Sequence, residues 1–186
     1  MDRLNFNIQK WVDLDSYTDS KGWKGYCRRD KPFTLFRANK IVDNFISFFR
    51  EYSNNVTIVS NIFKVKEHTL ISSNVSNYIR YIEKYLIDFK YKVTNASVYD
   101  NPNCLTFGFK SFQSSDFDIV SMLSLLVMMD DGIDGHCFFI FDELGLIVYP
   151  HDDTGFGFIR FKETNVHYED IFLKKVSQLS DFISAW

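Results

Sequence analysis

Residues 136–161, HCFFIFDELGLIVYPHDDTGFGFIRF, decide the fold class because they contain three short apolar runs separated by turn residues. The runs HCFFIFD, LGLIVYP and GFGFIRF each have the length and the aromatic and β-branched content of one strand. Only a few residues connect them, so consecutive strands must lie side by side and run in opposite directions. We therefore expect an antiparallel β-meander in this part of the chain.

Upstream of the meander, apolar residues recur first at helical spacing and later in strand-like alternation. In residues 38–53, Ile41, Phe45 and Phe49 fall on one face, which predicts an amphipathic helix packed on a sheet. Strands are predicted over residues 56–66 and on both sides of a turn at residues 101–103. Further helices are predicted over residues 74–90 and over residues 114–131, the latter entered through Ser115 or Asp116 as the cap. A last helix is predicted over residues 168–183, with an apolar face formed by Ile171, Phe172, Val176, Leu179 and Ile183.

These elements predict an α+β fold, with one largely antiparallel sheet packed by amphipathic helices mainly on one face. A length of 186 residues fits a single domain, residues 1–186. Residues 1–32 follow neither period. We expect them to form a loop-rich N-terminal arm that is laid over the body and anchored by Trp11 and Trp23; the alternative is an arm that is partly mobile. The basic cluster CRRDK at residues 27–31 is interpreted as a solvated loop of this arm.

The composition favours a cytoplasmic globular protein. An aromatic content of 18% predicts a core rich in rings. The longest apolar run, residues 119–129, is shorter than the roughly 20 residues that span a membrane, and MDRLNFNIQKWVDLD lacks the apolar region of a signal peptide. The three cysteines form no CxxC pair, which is typical of a reducing compartment rather than of a zinc site. Cys104 and Cys137 lie in apolar strand-like runs, which predicts that they are buried packing residues.

Acidic residues are concentrated in the second half of the chain. Residues 100–155 contain ten acidic side chains and one basic side chain, Lys110. A surface of that sign attracts basic proteins and repels the phosphates of nucleic acids. Alternatively, these acids are turn and cap residues that share no face. The candidate partner-binding residues are Asp116, Asp118, Asp130, Asp131, Asp134, Asp142, Glu143, Asp152 and Asp153.

The segment HDDTG allows three interpretations: a metal site, a catalytic carboxylate pair or a turn. Asp152 followed by a glycine matches a three-residue hairpin loop, which predicts a turn with Gly155 at positive φ. A metal site could form if His136, one strand earlier, approached His151, Asp152 and Asp153. The spacing does not enforce this, and the strong metal, phosphate and nucleophile motifs do not occur. We expect no catalytic residue, no metal and no cofactor.

The segment CFFIFDELGLIVYPHDDTGFGFI, with YEDIFLKKVSQLSDFIS after it, resembles the end of an uncharacterised bacterial domain family. Members of that family close with an apolar strand, a strand ending in Tyr-Asp-Asp-Arg-Gly, another apolar strand and a last helix. Tyr149 corresponds to the motif's tyrosine, and Asp152 and Asp153 correspond to its aspartates. Pro150 and His151 are inserted after the tyrosine, Thr154 replaces the arginine and Gly155 matches the glycine. The resemblance implies no enzymatic activity.

In its composition the chain also resembles the small cytoplasmic immunity proteins of contact-dependent growth inhibition and related polymorphic toxin systems. Those proteins are typically acidic, aromatic-rich single domains without catalytic motifs. The resemblance implies that the protein binds and neutralises a cognate bacterial toxin, commonly a basic nuclease, by direct contact through an acidic surface. The alternative is a small metal-dependent hydrolase or nuclease that uses His136, His151, Asp152 and Asp153. Neither a membrane nor a nucleic acid is expected as a direct partner.

Overall fold

The computed structural model describes residues 6–62, 77, 81, 84, 94–95, 110–129 and 135–186. In chain order their main elements are β1 (Trp23–Arg29), α1 (Leu35–Phe49), β2 (Val56–Ser60), β3 (Thr94–Asn95), β4 (Lys110–Ser114), α2 (Phe117–Met128), β5 (Cys137–Phe141), β6 (Leu146–His151), β7 (Gly155–Arg160), α3 (Tyr168–Ser177) and β8 (Phe182–Ala185). Short 3-10 helices lie at Ile8–Lys10, Tyr17–Asp19 and Asp142–Leu144.

The described strands form one sheet in the order β3-β4-β2-β5-β6-β7-β1-β8. Every neighbouring pair in this sheet is antiparallel. The predicted α+β fold with an antiparallel sheet is therefore confirmed. The meander is confirmed too: β5, β6 and β7 pair in sequence order, with Val148 of β6 opposite Phe139 of β5 and Phe158 of β7.

All three described helices pack on one face of the sheet, and the core between them is rich in phenylalanine. Helix α1 begins after Thr34, whose side chain accepts a hydrogen bond from the backbone N–H of Arg37 at 3.2 Å. On its buried face, Phe45 stacks on Phe156 of β7 with ring centroids 4.1 Å apart. Helix α2 is capped by Asp116, as the sequence predicts. The aromatic content of the chain therefore supplies the core beneath the helices.

The N-terminal arm covers the opposite face of the sheet. Ile8 and Val12 are buried there against Phe138, Ile147 and other apolar residues of the central strands. The half-buried Trp11 and Trp23 pack against the same cluster. The predicted arm contains one element that the sequence did not reveal: residues 23–29 are β1, paired with β7 and β8, and not part of a loop.

The prediction of a last helix reaching residue 183 is wrong at its C-terminal end. Helix α3 ends at Ser177, and residues 182–185 are β8, the edge strand next to β1. Phe182 is buried, whereas Ile183, predicted on the helix's apolar face, is 38% exposed. Pairing with β1 determines this conformation, since it satisfies backbone groups that would otherwise face solvent at the sheet edge.

Several predicted elements lie wholly or partly outside the described residues. Of the helix predicted over residues 74–90, only Asn77, Tyr81 and Lys84 are described, and each is helical. The turn at residues 101–103 is outside them, although β3 and β4 on either side do pair antiparallel. Within the described part of the chain, no helix has both the length and the apolar character needed to cross a membrane.

Candidate functional site

The candidate site is built on β7, which carries glycine at two positions on the face away from the helices. Phe156 and Phe158 point into the core beneath the helices. Because side chains alternate along a strand, Gly155 and Gly157 lie on the other face. At Gly157 even a methyl group has no room, since a Cβ there would lie 2.0 Å from Cζ of Tyr149. The two glycines leave the first part of this face of β7 without side chains, whereas Ile159 at the far end of the strand is buried under the arm.

Two side chains of β6 lie across the glycines of β7. In the register of these strands, Tyr149 is opposite Gly157 and His151 is opposite Gly155. The Tyr149 ring covers Gly157. The His151 ring reaches towards β1, where its Nε2 lies 3.0 Å from the carbonyl oxygen of Cys27. Two rings from β6 thus form a floor that extends over β7 towards β1.

An open cleft of about 390 Å³ lies above this floor. Tyr26 and Arg28 of β1 line one part of it, and residues 16–18 of the N-terminal arm line another. Asp152 and Asp153, from the turn between β6 and β7, also line the cleft and are exposed to solvent. The cleft therefore combines aromatic rings, one guanidinium and two carboxylates.

His151 is a neutral ring, and one of its two ring nitrogens can accept a hydrogen bond. A carbonyl oxygen can only accept a hydrogen bond, so the Nε2–H of His151 donates to Cys27 and the lone pair is on Nδ1. Burial lowers the pKa of His151, and the Arg28 charge lowers it further, while Asp153, the Cys27 carbonyl and Asp152 oppose the shift. The net direction is downward, so the uncharged imidazole is the form present at neutral pH.

Arg28 has a hydrogen-bond donor that no described residue uses. Its Nε is buried and has no hydrogen-bond partner among the described residues. Buried donors in proteins are nearly always paired, so the guanidinium of Arg28, which lines the cleft, has a donor that the described part of its own chain does not use. The sequence placed Arg28 in a solvated loop. Only the pairing of β1 with β7 and β8 brings this side chain to the cleft.

Tyr17 attaches the arm to the cleft, and sequence reasoning missed it because the arm has no periodicity. Its ring centroid lies 4.4 Å from that of Tyr149, and its hydroxyl hydrogen-bonds with Nδ1 of His136. Trp23 Nε1 donates to the Tyr149 hydroxyl at 3.3 Å. Burial raises the pKa of Tyr149 to about 12, raises that of Tyr17 and lowers that of His136. All three groups are therefore uncharged at neutral pH.

The predicted hairpin turn is confirmed, but the prediction for Gly155 is wrong. Thr154, and not Gly155, has positive φ, at 59°. The three-residue loop between His151 and Gly155 puts the left-handed conformation at its last residue, one position before the glycine. Gly155 is needed for a different reason, because a Cβ there would lie 1.7 Å from the carbonyl oxygen of Cys27. Thr154 is buried and accepts a hydrogen bond from Arg29 Nη1 at 3.1 Å.

The predicted partner-binding acids that the structure describes divide between the two ends of the sheet. Asp142 and Glu143 are exposed in the connection before β6, whereas Asp152 and Asp153 are exposed in the turn after it. The six residues of β6 separate these pairs by roughly 20 Å. The ladders from β4 through β2 to β5 put Asp116 and Asp118 at the first of these ends. Three further predicted residues lie outside the described part of the chain: Asp130, Asp131 and Asp134.

Three of the four residues of the alternative metal site come together. Ligand atoms of His151, Asp152 and Asp153 lie within 4.8 Å of one another. His136 is not part of this group, and its Nδ1 is hydrogen-bonded with Tyr17. Among the described residues, a second such group contains His167, Glu169 and Asp170. In it Glu169 is buried and already forms an ion pair with Arg160.

Cys137 has the environment of a packed apolar residue, as the sequence predicts, and so does Cys27, which the sequence placed in a solvated loop. Cys27 and Cys137 are buried, and neither forms a disulfide. Burial raises the pKa of each thiol to about 12. Since the thiolate is the reactive form, neither group is activated as a nucleophile at neutral pH. Cys104 lies outside the described residues.

Comparison with protein-family models, with curated proteins and with solved structures found no match to this chain. The chemistry of the cleft must accordingly be inferred from its own residues.

Replacing each of the two glycines of β7 with alanine should lower the free energy of unfolding by a different amount. At Gly157 the added methyl meets the Tyr149 ring, a side chain that can move, and we expect a loss of about 1–3 kcal/mol in the free energy of unfolding. At Gly155 the methyl meets the Cys27 backbone, so β7 itself must shift and the loss should be larger. Urea unfolding of Gly157→Ala and Gly155→Ala measures both. Equal stability of the two variants would contradict this account of the close contacts.

The lowered pKa of His151 should make the protein less stable below neutral pH. As pH falls below about 6.5, the unfolded chain takes up a proton at this position while the folded chain resists it, so folding stability decreases. His151→Gln should reduce the decrease in unfolding free energy between pH 7 and pH 5.5, measured by urea unfolding. In NMR titrations, the ring C–H signals of His151 should titrate below the ordinary value. A midpoint at or above 6.5 would contradict the neutral-ring assignment.

Proposed function

We propose that this protein is an immunity-type protein that neutralises a cognate bacterial toxin by direct contact, with the cleft at the β6–β7 turn as the centre of the contact surface. The supporting observation is the composition of that cleft. Tyrosine and arginine are the residues that most often dominate the energetics of protein interfaces, and here Tyr26, Arg28 and Tyr149 line one concave surface. Asp152 and Asp153 beside them give it the polar rim typical of such interfaces.

The distribution of acids supports two separate contributions to binding. Asp152 and Asp153 line the cleft and would contact the partner directly. Asp142 and Glu143 lie at the other end of β6 and would act through long-range attraction, which speeds the association of a basic protein without adding contacts. The overall charge of −3 has the sign that favours a basic partner.

A metal-dependent hydrolase is the second candidate, and the grouping of His151, Asp152 and Asp153 is the observation that favours it. The His151 Nδ1 lone pair, oriented by the bond from Nε2 to Cys27, is of the kind that binds metals. The positive charge of Arg28 in the same cleft disfavours a divalent cation, so this candidate ranks second. It requires stoichiometric zinc or manganese that is lost in His151→Ala. We expect elemental analysis of the purified chain to find neither metal in stoichiometric amount.

The immunity proposal is tested by co-expressing the full chain with toxin domains encoded beside its gene. The wild-type chain should restore growth and form a stable complex with one of them. Asp152→Asn with Asp153→Asn should weaken that complex about tenfold or more, mainly by faster dissociation, because charged hydrogen bonds in a contact surface are lost. Surface plasmon resonance measures both rates, and circular dichroism checks the fold.

The matched control is Asp142→Asn with Glu143→Gln, which removes the same charge from the other end of β6. It should slow association modestly at low salt and leave dissociation unchanged. The difference in association rate between this variant and the wild type should shrink at physiological salt, since the Debye length falls from about 30 Å at about 0.01 M to about 8 Å at about 0.15 M. If neither double variant alters either rate, or no neighbouring toxin is neutralised, the proposal is wrong.

A further inference from the structure

The cleft has features that select one kind of side chain from the partner, so this inference rests on the proposed function and extends it to the chemistry of the contact. The floor is aromatic. Tyr149 and His151 lie across β7, and the Tyr26 ring stands edge-on to His151 with centroids 6.0 Å apart. Ring faces of this kind attract flat groups, and they attract cations through the negative charge at the centre of each face.

The charges of the cleft call for a ligand that carries a cation and an acceptor together. Asp152 and Asp153 contribute two negative charges at the turn, Arg28 contributes one positive charge and His151 is neutral, which leaves a net charge of −1. A cation is therefore favoured near the turn. The Arg28 guanidinium lines the same cleft, and it can donate to an acceptor such as a carbonyl oxygen.

We infer that the cleft binds an arginine residue of the partner: its guanidinium stacks on the rings of Tyr26 and His151 and pairs with Asp152 and Asp153, and a neighbouring backbone carbonyl accepts from the Arg28 guanidinium. Arginine fits better than lysine because its planar group both stacks on rings and donates to two carboxylates at once. A volume of about 390 Å³ is at the low end for ligand pockets, which suits one long side chain.

The test uses small probes on the full chain, so it does not depend on identifying the toxin. The probes are Nα-acetyl-arginine amide, the corresponding lysine amide and the corresponding citrulline amide, which keeps the shape of arginine without its charge. NMR follows the indole N–H of Trp23, which donates to Tyr149, and the ring signals of His151. We expect the arginine amide to bind with a dissociation constant on the order of 1 mM, and the citrulline amide about tenfold more weakly. The lysine amide should fall between them.

Two variants determine where the probe binds. Asp152→Asn with Asp153→Asn should weaken the arginine amide about tenfold, whereas the control Asp142→Asn with Glu143→Gln should leave it unchanged. Both pairs are exposed, so the fold should survive the changes. If citrulline binds as well as arginine, or if the two double variants behave alike, the arginine assignment is overturned.

The variant Arg28→Met tests the ligand's carbonyl and the ligand's cation separately. If Arg28 holds the carbonyl, this variant should weaken the arginine amide severalfold and leave butylguanidinium, which has no carbonyl, bound at least as well as before. If Arg28 only repels the incoming cation, both probes should bind more tightly, which would overturn this half of the inference. Probe binding without any toxin partner would refute the proposed function and keep the arginine site. Toxin binding without probe binding would refute the arginine site and keep the proposed function.

Discussion

β7 carries two glycines on its arm-facing side and two phenylalanines on the side that faces the helices, and both layers of the protein depend on this alternation. Phe156 and Phe158 face the helices, where Phe156 stacks on Phe45. Gly155 and Gly157 face the arm, and their lack of a side chain lets rings from β6 lie flat across the strand. A single strand thereby anchors the core on one side and leaves a cleft on the other.

The N-terminal arm converts the second face of the sheet from a solvent-exposed surface into a second core. Without it, the apolar residues on that face, such as Phe138 and Ile147, would be exposed at a considerable hydrophobic cost. The same arm supplies residues 16–18 to the cleft, and Tyr17 contacts both Tyr149 and His136. Docking of the arm therefore stabilises the fold and completes the site in the same set of contacts.

The cleft mixes groups that are held neutral with groups that keep their charge. Burial keeps His151, Tyr149 and Tyr17 uncharged, so what these groups can offer a ligand is shape and hydrogen bonding. The carboxylates at the turn and the Arg28 guanidinium carry the charge of the cleft, and a tight hairpin and a paired strand fix the backbone that bears these side chains. Preorganisation of this kind lowers the entropic cost of binding, which is why a small surface can contribute much of an interaction energy.

The sequence alone determined the elements whose pattern is local. Helical and strand periods predicted α1, α2 and the meander, and the residue types at 152–155 predicted the hairpin, because side-chain alternation and turn chemistry need only near neighbours. Tertiary structure decided the rest. β8 is a strand only because β1 offers it an edge, and Arg28 reaches the cleft only because β1 pairs with β7. Tyr17 meets Tyr149 across a long stretch of chain, and Gly155 is required by a carbonyl on another strand. Such contacts join residues far apart in sequence, so no local pattern records them.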